Sequence, residues 1–187
     1  MQMQPLGKLR NIKLQELELM LGWRNAPNVR ANMYTRHEIS IDEHLAWWTK
    51  IQQRHDQRYF MYEAGGTPLG IIGFSNIDRT SENSSWAFYA SPEAPKGTGS
   101  KMEFLAIDYA FNDLSLHKLH CEVLAFNTQV IKLHQKFGFS IEGKLREHHK
   151  VDEDFIDIYQ LSLLAPEWAE KRADMLDKLI KISGRSA

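Results

Sequence analysis

The sequence predicts a single mixed α/β domain. One observation is size: 187 residues with 43% hydrophobic side chains suit one sizeable core and are too apolar for a disordered chain. Another is the alternation of segments with a two-residue apolar period and segments with a 3.6-residue period. A further one is the absence of any internal repeat, linker or low-complexity stretch. Read in order, the segments are strand, two helices, three strands, helix, strand, helix and two strands, so the sheet has about seven strands.

The first strand is read at 6–12, "LGKLRNI". Residues 13–25 place Leu14, Leu17, Met20 and Leu21 at helical spacing. Pro27 ends that helix or breaks it, and 29–39 is irregular with a short helical turn. Ser40 and Glu43, three apart, form a capping-box signature for a second helix, "SIDEHLAWWTKIQQR". "RYFMYEA" (58–64) alternates, "GGT" turns the chain, and "PLGIIGFSNI" (68–77) returns as the next strand. "SSWAFYA" (84–90) is the fourth strand. Met102, Leu105, Ala106, Tyr109 and Ala110 then repeat as one buried helix face. "KLHCEVLA" (118–125) is a strand, Asn127 is a good N-cap for "TQVIKLHQKF", and Gly138 ends that helix. "GFSIEGKLREHH" and "DFIDIYQLSLL" are two long strands around the turn "KVDED". Pro166 starts a C-terminal helix, and "SGRSA" reads as a frayed tail.

Composition narrows the function. The formal net charge is −1, from 23 basic and 24 acidic residues, which argues against a general nucleic-acid binder. The single cysteine, Cys121, allows no intrachain disulfide. With no signal peptide read at the N-terminus, it points to a reducing cytoplasm. No apolar run approaches the roughly 18–20 residues that span a bilayer.

Chemistry first shows at "PKGTGSKMEF" (95–104), between a strand and a helix. Exposed N–H groups and the helix dipole there favour an anion, and glycine lets backbone approach a ligand. The spacing is neither that of a P-loop nor the dinucleotide fingerprint. Taken alone, Gly-x-Gly fits an ordinary turn as well as a phosphate cradle. A second stretch, "NTQVIKLHQKFGFSIEG" (127–143), bears on the choice. Asn127, a helix, "KFGF" and a strand ending in Glu-Gly resemble the GNAT superfamily of acyl-CoA N-acyltransferases. The resemblance runs over about 6–165 and leaves 166–187 as a C-terminal helix and tail.

The resemblance implies a mostly antiparallel sheet that splays between its two central strands, with acetyl-CoA entering the gap. It implies a pyrophosphate loop of the form Arg/Gln-x-x-Gly-x-Gly/Ala. Lys96, Gly97, Thr98, Gly99, Ser100 and Lys101 fit its second half, and Ala94 replaces the leading Arg or Gln. Phe88, Tyr89 and Ala90 would offer the pantetheine arm a strand edge, and Asn127 would stand near it. The resemblance further implies direct attack of a neutral amine on the thioester, with a general acid four residues before the Gly of "GF". That position is His134 rather than the usual tyrosine. Without the resemblance, His134 reads equally as a core-edge histidine. Glu122 borders the cleft and either holds the amine, orders a water or makes a salt bridge.

"WRN" (23–25), "VRANMYT" (29–35), "HLAWW" (44–48) and "HKLHCEVL" (117–124) are similar to family members of the pseudaminic acid pathway. Those acetylate the 4-amino group of a UDP-linked 4-amino-4,6-dideoxy-N-acetyl-altrosamine, in flagellin or surface glycan modification. On that resemblance Arg24 and Arg30 would meet the UDP phosphates. Met33, Tyr34 and Trp47 would wall the nucleotide, with at least one of Trp47 and Trp48 in the core. Rival readings are protein α-amine acetylation and a non-catalytic acyl-CoA-binding module. Cys121 reads as a small buried residue, with no Cys–His–Asp arrangement evident. His148 and His149 face opposite ways on a strand, so no metal site is expected. Lys132 and Lys136 read as a solvated face. A homodimer is compatible with all of this.

Overall fold

The computed structural model describes residues 6–184. Seven strands form one sheet in the order β1-β2-β3-β4-β5-β7-β6. They are β1 (Lys8–Arg10), β2 (Arg58–Ala64), β3 (Thr67–Asp78), β4 (Asn83–Ala90), β5 (Lys118–Leu124), β6 (Ser140–Val151) and β7 (Asp154–Leu164). Every pairing is antiparallel except β4 with β5, which is parallel and lasts only from Asn83–Ser85 against Lys118–His120. Beyond Ser85 the two central strands part. Residues Trp86–Ala90 keep β3 on one side and have an open edge on the other.

Helices cover both faces. Under one face lie α4 (Thr98–Asp108), α5 (Thr128–Phe137) and α6 (Ala165–Gly184). Their apolar side chains and those of the sheet make the main core, including Ile72, Phe74, Met102, Ile107, Leu119, Phe137, Leu161 and Trp168. On the other face α1 (Leu17–Asn25) and α3 (Ile41–Gln52) close a smaller core of Leu17, Met20, Trp23, Trp48, Met61 and Ile71. The C-terminal helix is no appendage. Trp168, Met175 and Leu179 are buried, and Asp108 accepts from Trp168 Nε1 at 2.8 Å and pairs with Arg172 at 2.7 Å. The expected frayed tail lies mostly beyond Gly184, outside the described residues.

The local signals explain most boundaries. Ser40 Oγ accepts from Glu43 N, and Glu43 reaches back to Ser40 N, which closes the capping box. Gly138 takes φ +104° at the end of α5, a left-handed conformation that favours glycine. Three expectations need correction. Leu14 belongs to a short 3-10 turn, 14–16, and is 68% exposed, so the buried stripe starts at Leu17. Pro27 does not only end a helix. It opens α2 (Pro27–Arg30), where its missing N–H costs nothing. Asn127 sits at the N-cap position of α5, but its side chain makes no capping bond, and the residue lines the cleft beside β5.

Candidate active site

The site is built where β4 leaves β5. Chain continuing from β4 folds over at Pro95, whose carbonyl accepts from both Thr98 N (3.1 Å) and Thr98 Oγ1 (2.7 Å). Thr98 is buried, so its side chain shapes the loop from within. Gly97 caps α4 at φ +91°, and a Cβ built there would meet nothing within 4 Å. The N–H groups of Gly99 and Ser100 find no acceptor among the described residues. Free amides, a helix N-terminus and open space make a cradle for an anion. Lys96 is exposed and Lys101 half-buried at its rim.

A cleft follows the open edge. It is lined by Trp86, Ala87 and Phe88 from β4, by Cys121–Leu124 from β5, and by Asn127, Val130 and His134. Phe88 faces this cleft, and its ring lies 3.7 Å from a Cβ built on Gly99. Tyr89 points to the opposite face and lines a separate cavity there, so only its backbone is on the open edge. Ala90 is half-buried against the main core.

His134 is 3% exposed in the wall of this cleft, among the rings of Trp86, Phe88 and Phe139. Its Nδ1 lies 2.8 Å from Glu103 Oε1, and Glu103 is 0% exposed. Burial alone would push the imidazole down. The Glu103 carboxylate and the Cys121 thiol beside the ring together outweigh it, and the pKa is pushed up to about 10. Burial in turn raises the Glu103 carboxyl. Glu103 Oε2 has no hydrogen-bond partner among the described residues.

Glu103 has no counterpart in the sequence reading, although a signal was present. Glu103, Ala106, Ile107 and Ala110 share one helical face, so the carboxylate interrupts an apolar stripe. Cys121 needs a correction too. It is buried as expected, yet the fold gathers Cys121, His134 and Glu103 into one cluster, so a Cys–His–acid grouping does exist. Sequence could not show it, because the three come from β5, α5 and α4.

Glu122 stands on the opposite face of β5 at the cleft mouth. Its Oε2 accepts from Tyr34 Oη at 2.7 Å and its Oε1 from Gln160 Nε2 at 3.2 Å. Burial and this carboxylate raise the Tyr34 phenol. Tyr34 is thereby tied to β5, and its ring packs 5.0 Å from His149.

A second cavity of about 490 Å³ lies across β4, under α1 and α3. Met33, Trp86 and Ala87 line both this cavity and the cleft, so the two spaces share a wall at the parted strands. Trp47 lines it, stacked at 5.4 Å on His44 and edge-on at 5.0 Å to Tyr59, while Trp48 is core. Arg24 also lines it. Burial pushes its guanidinium pKa down; Nη2 donates to Thr35 O at 3.1 Å, and Nη1 is buried without a partner. Arg30 is not brought there: it lies 3.9 Å from Glu38 and lines neither space.

A sheet parted at its centre, with a helix N-terminus suited to an anion beside the open edge and a second cavity across β4, fits an acyl-CoA-dependent transferase. Residues 8–140 match the acetyltransferase (GNAT) domain, and the chain belongs to that family. It is 32% identical over 154 residues to the acetyltransferase PseH of Campylobacter jejuni strain 81-176, spanning 81% of this chain and 91% of that protein. It is 27% identical over 130 residues to the spermidine N(1)-acetyltransferase of Escherichia coli K12, spanning 68% and 70%. Among solved structures, the spermidine N-acetyltransferase of Vibrio cholerae with CoA and spermine superimposes at a TM-score of 0.82, with 22% identity over 87% of this chain and 97% of that one. The protein is therefore an N-acetyltransferase that uses acetyl-CoA.

Proposed function

We propose that the acceptor is a UDP-linked 4-amino-4,6-dideoxy sugar of the pseudaminic acid pathway, acetylated on its 4-amino group. The observation that carries this reading is Arg24. A half-buried arginine whose Nη1 is buried with its donor unmet suits a diphosphate, since leaving a buried charge-bearing donor unpaired is costly and an arginine fork matches phosphate oxygens. Trp47 beside it is a flat apolar surface for a base. The similarity to PseH supports the same reading.

The polyamine alternative comes from the spermidine acetyltransferases. A polycation fits this cavity poorly. The carboxylate in its lining is Glu43, already bonded to Ser40 N and His37, and it faces a cavity that also holds Arg24. Acetylation of a protein α-amine is the further rival, with no feature that favours it.

In the reaction, the cradle of Gly97–Ser100 with Lys96 and Lys101 takes the cofactor pyrophosphate. The open edge Trp86–Ala90 and Asn127 take its arm. The acceptor amine attacks the thioester carbonyl carbon; an N–C bond forms and the C–S bond breaks. His134 gives a proton to the leaving sulfur, and Glu122, held by Tyr34 and Gln160, receives the proton the amine loses.

The test is a split in Michaelis constants. Arg24→Ala and Trp47→Ala should raise KM for the UDP-sugar about tenfold or more and leave KM for acetyl-CoA nearly unchanged, as expected for a lost charge-assisted contact. Equal effects on both substrates would refute the acceptor assignment. Arg30→Ala should change neither constant.

A further inference from the structure

We infer that Glu103 is a positioning residue that keeps His134 in its proton-donating form under conditions where the acceptor amine is neutral. This rests on His134 being the acid of the reaction proposed above.

The chemistry sets two demands that conflict. The amine attacks only when neutral, which needs alkaline conditions for an alkylamine. An acid that delivers a proton to sulfur must still be charged under the same conditions. An ordinary imidazole, with a pKa of about 6.5, is mostly neutral by then. Tyrosine, with a pKa of about 10, meets both demands unaided. Histidine does not, unless something holds its proton.

Glu103 is that something. It is 0% exposed in a wall of apolar side chains, where a carboxylate is expensive to bury. Its one hydrogen bond goes to His134 Nδ1, at 2.8 Å, and Oε2 has no partner. A carboxylate kept for structure would have both oxygens satisfied. Here the group serves the imidazole alone.

The surroundings leave Glu103 in control. From α4 the titratable group facing the ring is Glu103, and from β5 it is Cys121. From β4 come only the rings of Trp86 and Phe88, and Phe139 closes the side toward β6. On α5 itself Lys136 acts on Glu103 from a distance. Nδ1 is occupied by Glu103, so Nε2 is the nitrogen turned toward the Cys121 thiol and the cleft that Cys121 and His134 both line.

The experiment has two arms. In the first, His134 is titrated by NMR in protein free of cofactor, as wild type and as Glu103→Gln, which preserves shape and removes the charge. Wild-type His134 should stay charged past pH 9, and the variant should titrate at or below about 6.5. A wild-type His134 that titrates at or below 6.5 overturns the inference with no variant needed. In the second arm, kcat is followed against pH with whichever amine is turned over. Wild type should hold its kcat to about pH 9, and Glu103→Gln should lose about 50- to 100-fold between pH 6.5 and 8.5 as the imidazolium is lost. Glu103→Asp should recover part of it. A folded Glu103→Gln with the wild-type profile overturns the inference, whatever the NMR shows. Should both arms behave as expected with spermidine rather than the UDP-sugar, the acceptor reading fails and the role of Glu103 stands.

Discussion

At the scale of single residues, His134 joins stability to chemistry. Removing its side chain altogether would strand Glu103 as a buried unpaired charge, at a cost of about 3–5 kcal/mol, so alanine confuses two effects. His134→Gln keeps a donor near Glu103 and has no proton to give. It should lower turnover by about 10²–10⁴-fold, the range for a positioned acid, with acetyl-CoA affinity little changed. The same pair gives a sign to the pH dependence of folding. A folded-state pKa of about 10 lies above the ordinary imidazole value. The stability His134 contributes is thus fully present below about pH 6.5 and lost as pH rises through about 10. Urea unfolding from pH 6 to 10 should show this alkaline loss in wild type and its absence in His134→Gln. The position of His134 was legible in sequence, because its spacing to Gly138 fixes it on the inward face of α5. Glu103 was not, because a carboxylate in a helix reads as solvated until α5 packs against it.

At the scale of elements, the glycine loop shows what spacing conveys and what it leaves out. Gly-x-Gly marked the turn, and the family resemblance marked its use. Neither revealed that the two glycines differ. Gly97 is held at φ +91°, so any side chain there strains the backbone whatever room it has. Gly99 has ordinary backbone, and a Cβ on it would make normal contacts with Leu133 and Phe88 at 3.7 Å. Gly99→Val is therefore the cleaner probe. It should leave the fold intact by circular dichroism and weaken acetyl-CoA binding at least tenfold by calorimetry, because its bulk enters the space between β4 and α5. Unaltered affinity in the folded variant would show that the cradle does not hold the cofactor. Asn127 makes the complementary point. Its type and place suggested a cap, yet its side chain makes no capping bond and the residue borders the cleft, a fact of tertiary placement.

At the scale of the molecule, function follows from one interruption. β4 and β5 share three residue pairs and then separate. The separation exposes a strand edge, and the two faces of β4 then serve two spaces. Even-numbered Phe88 faces the cofactor cleft, and odd-numbered Tyr89 faces the acceptor cavity. The succession of elements along the chain and the number of strands were readable from period and turns, and so was the mixed class; the placing of β7 between β5 and β6 was not. The acceptor cavity was not, since it needs α1, α3 and β4 together, and Arg30 looked as well suited as Arg24 until the fold separated them. The proposed acceptor rests on the same cavity, because it combines a half-buried arginine having a buried unmet donor with a flat indole and has little to offer a polycation. That claim is tested most directly by presenting both acceptors at once. Purified protein is given acetyl-CoA with the UDP-linked 4-amino-4,6-dideoxy-N-acetyl-altrosamine or with spermidine, and thiol release yields kcat/KM for each. The account predicts a ratio of at least about 10³ in favour of the UDP-sugar, the scale set by a buried polar site that a wrong substrate leaves unpaired. Equal or greater kcat/KM for spermidine would contradict it.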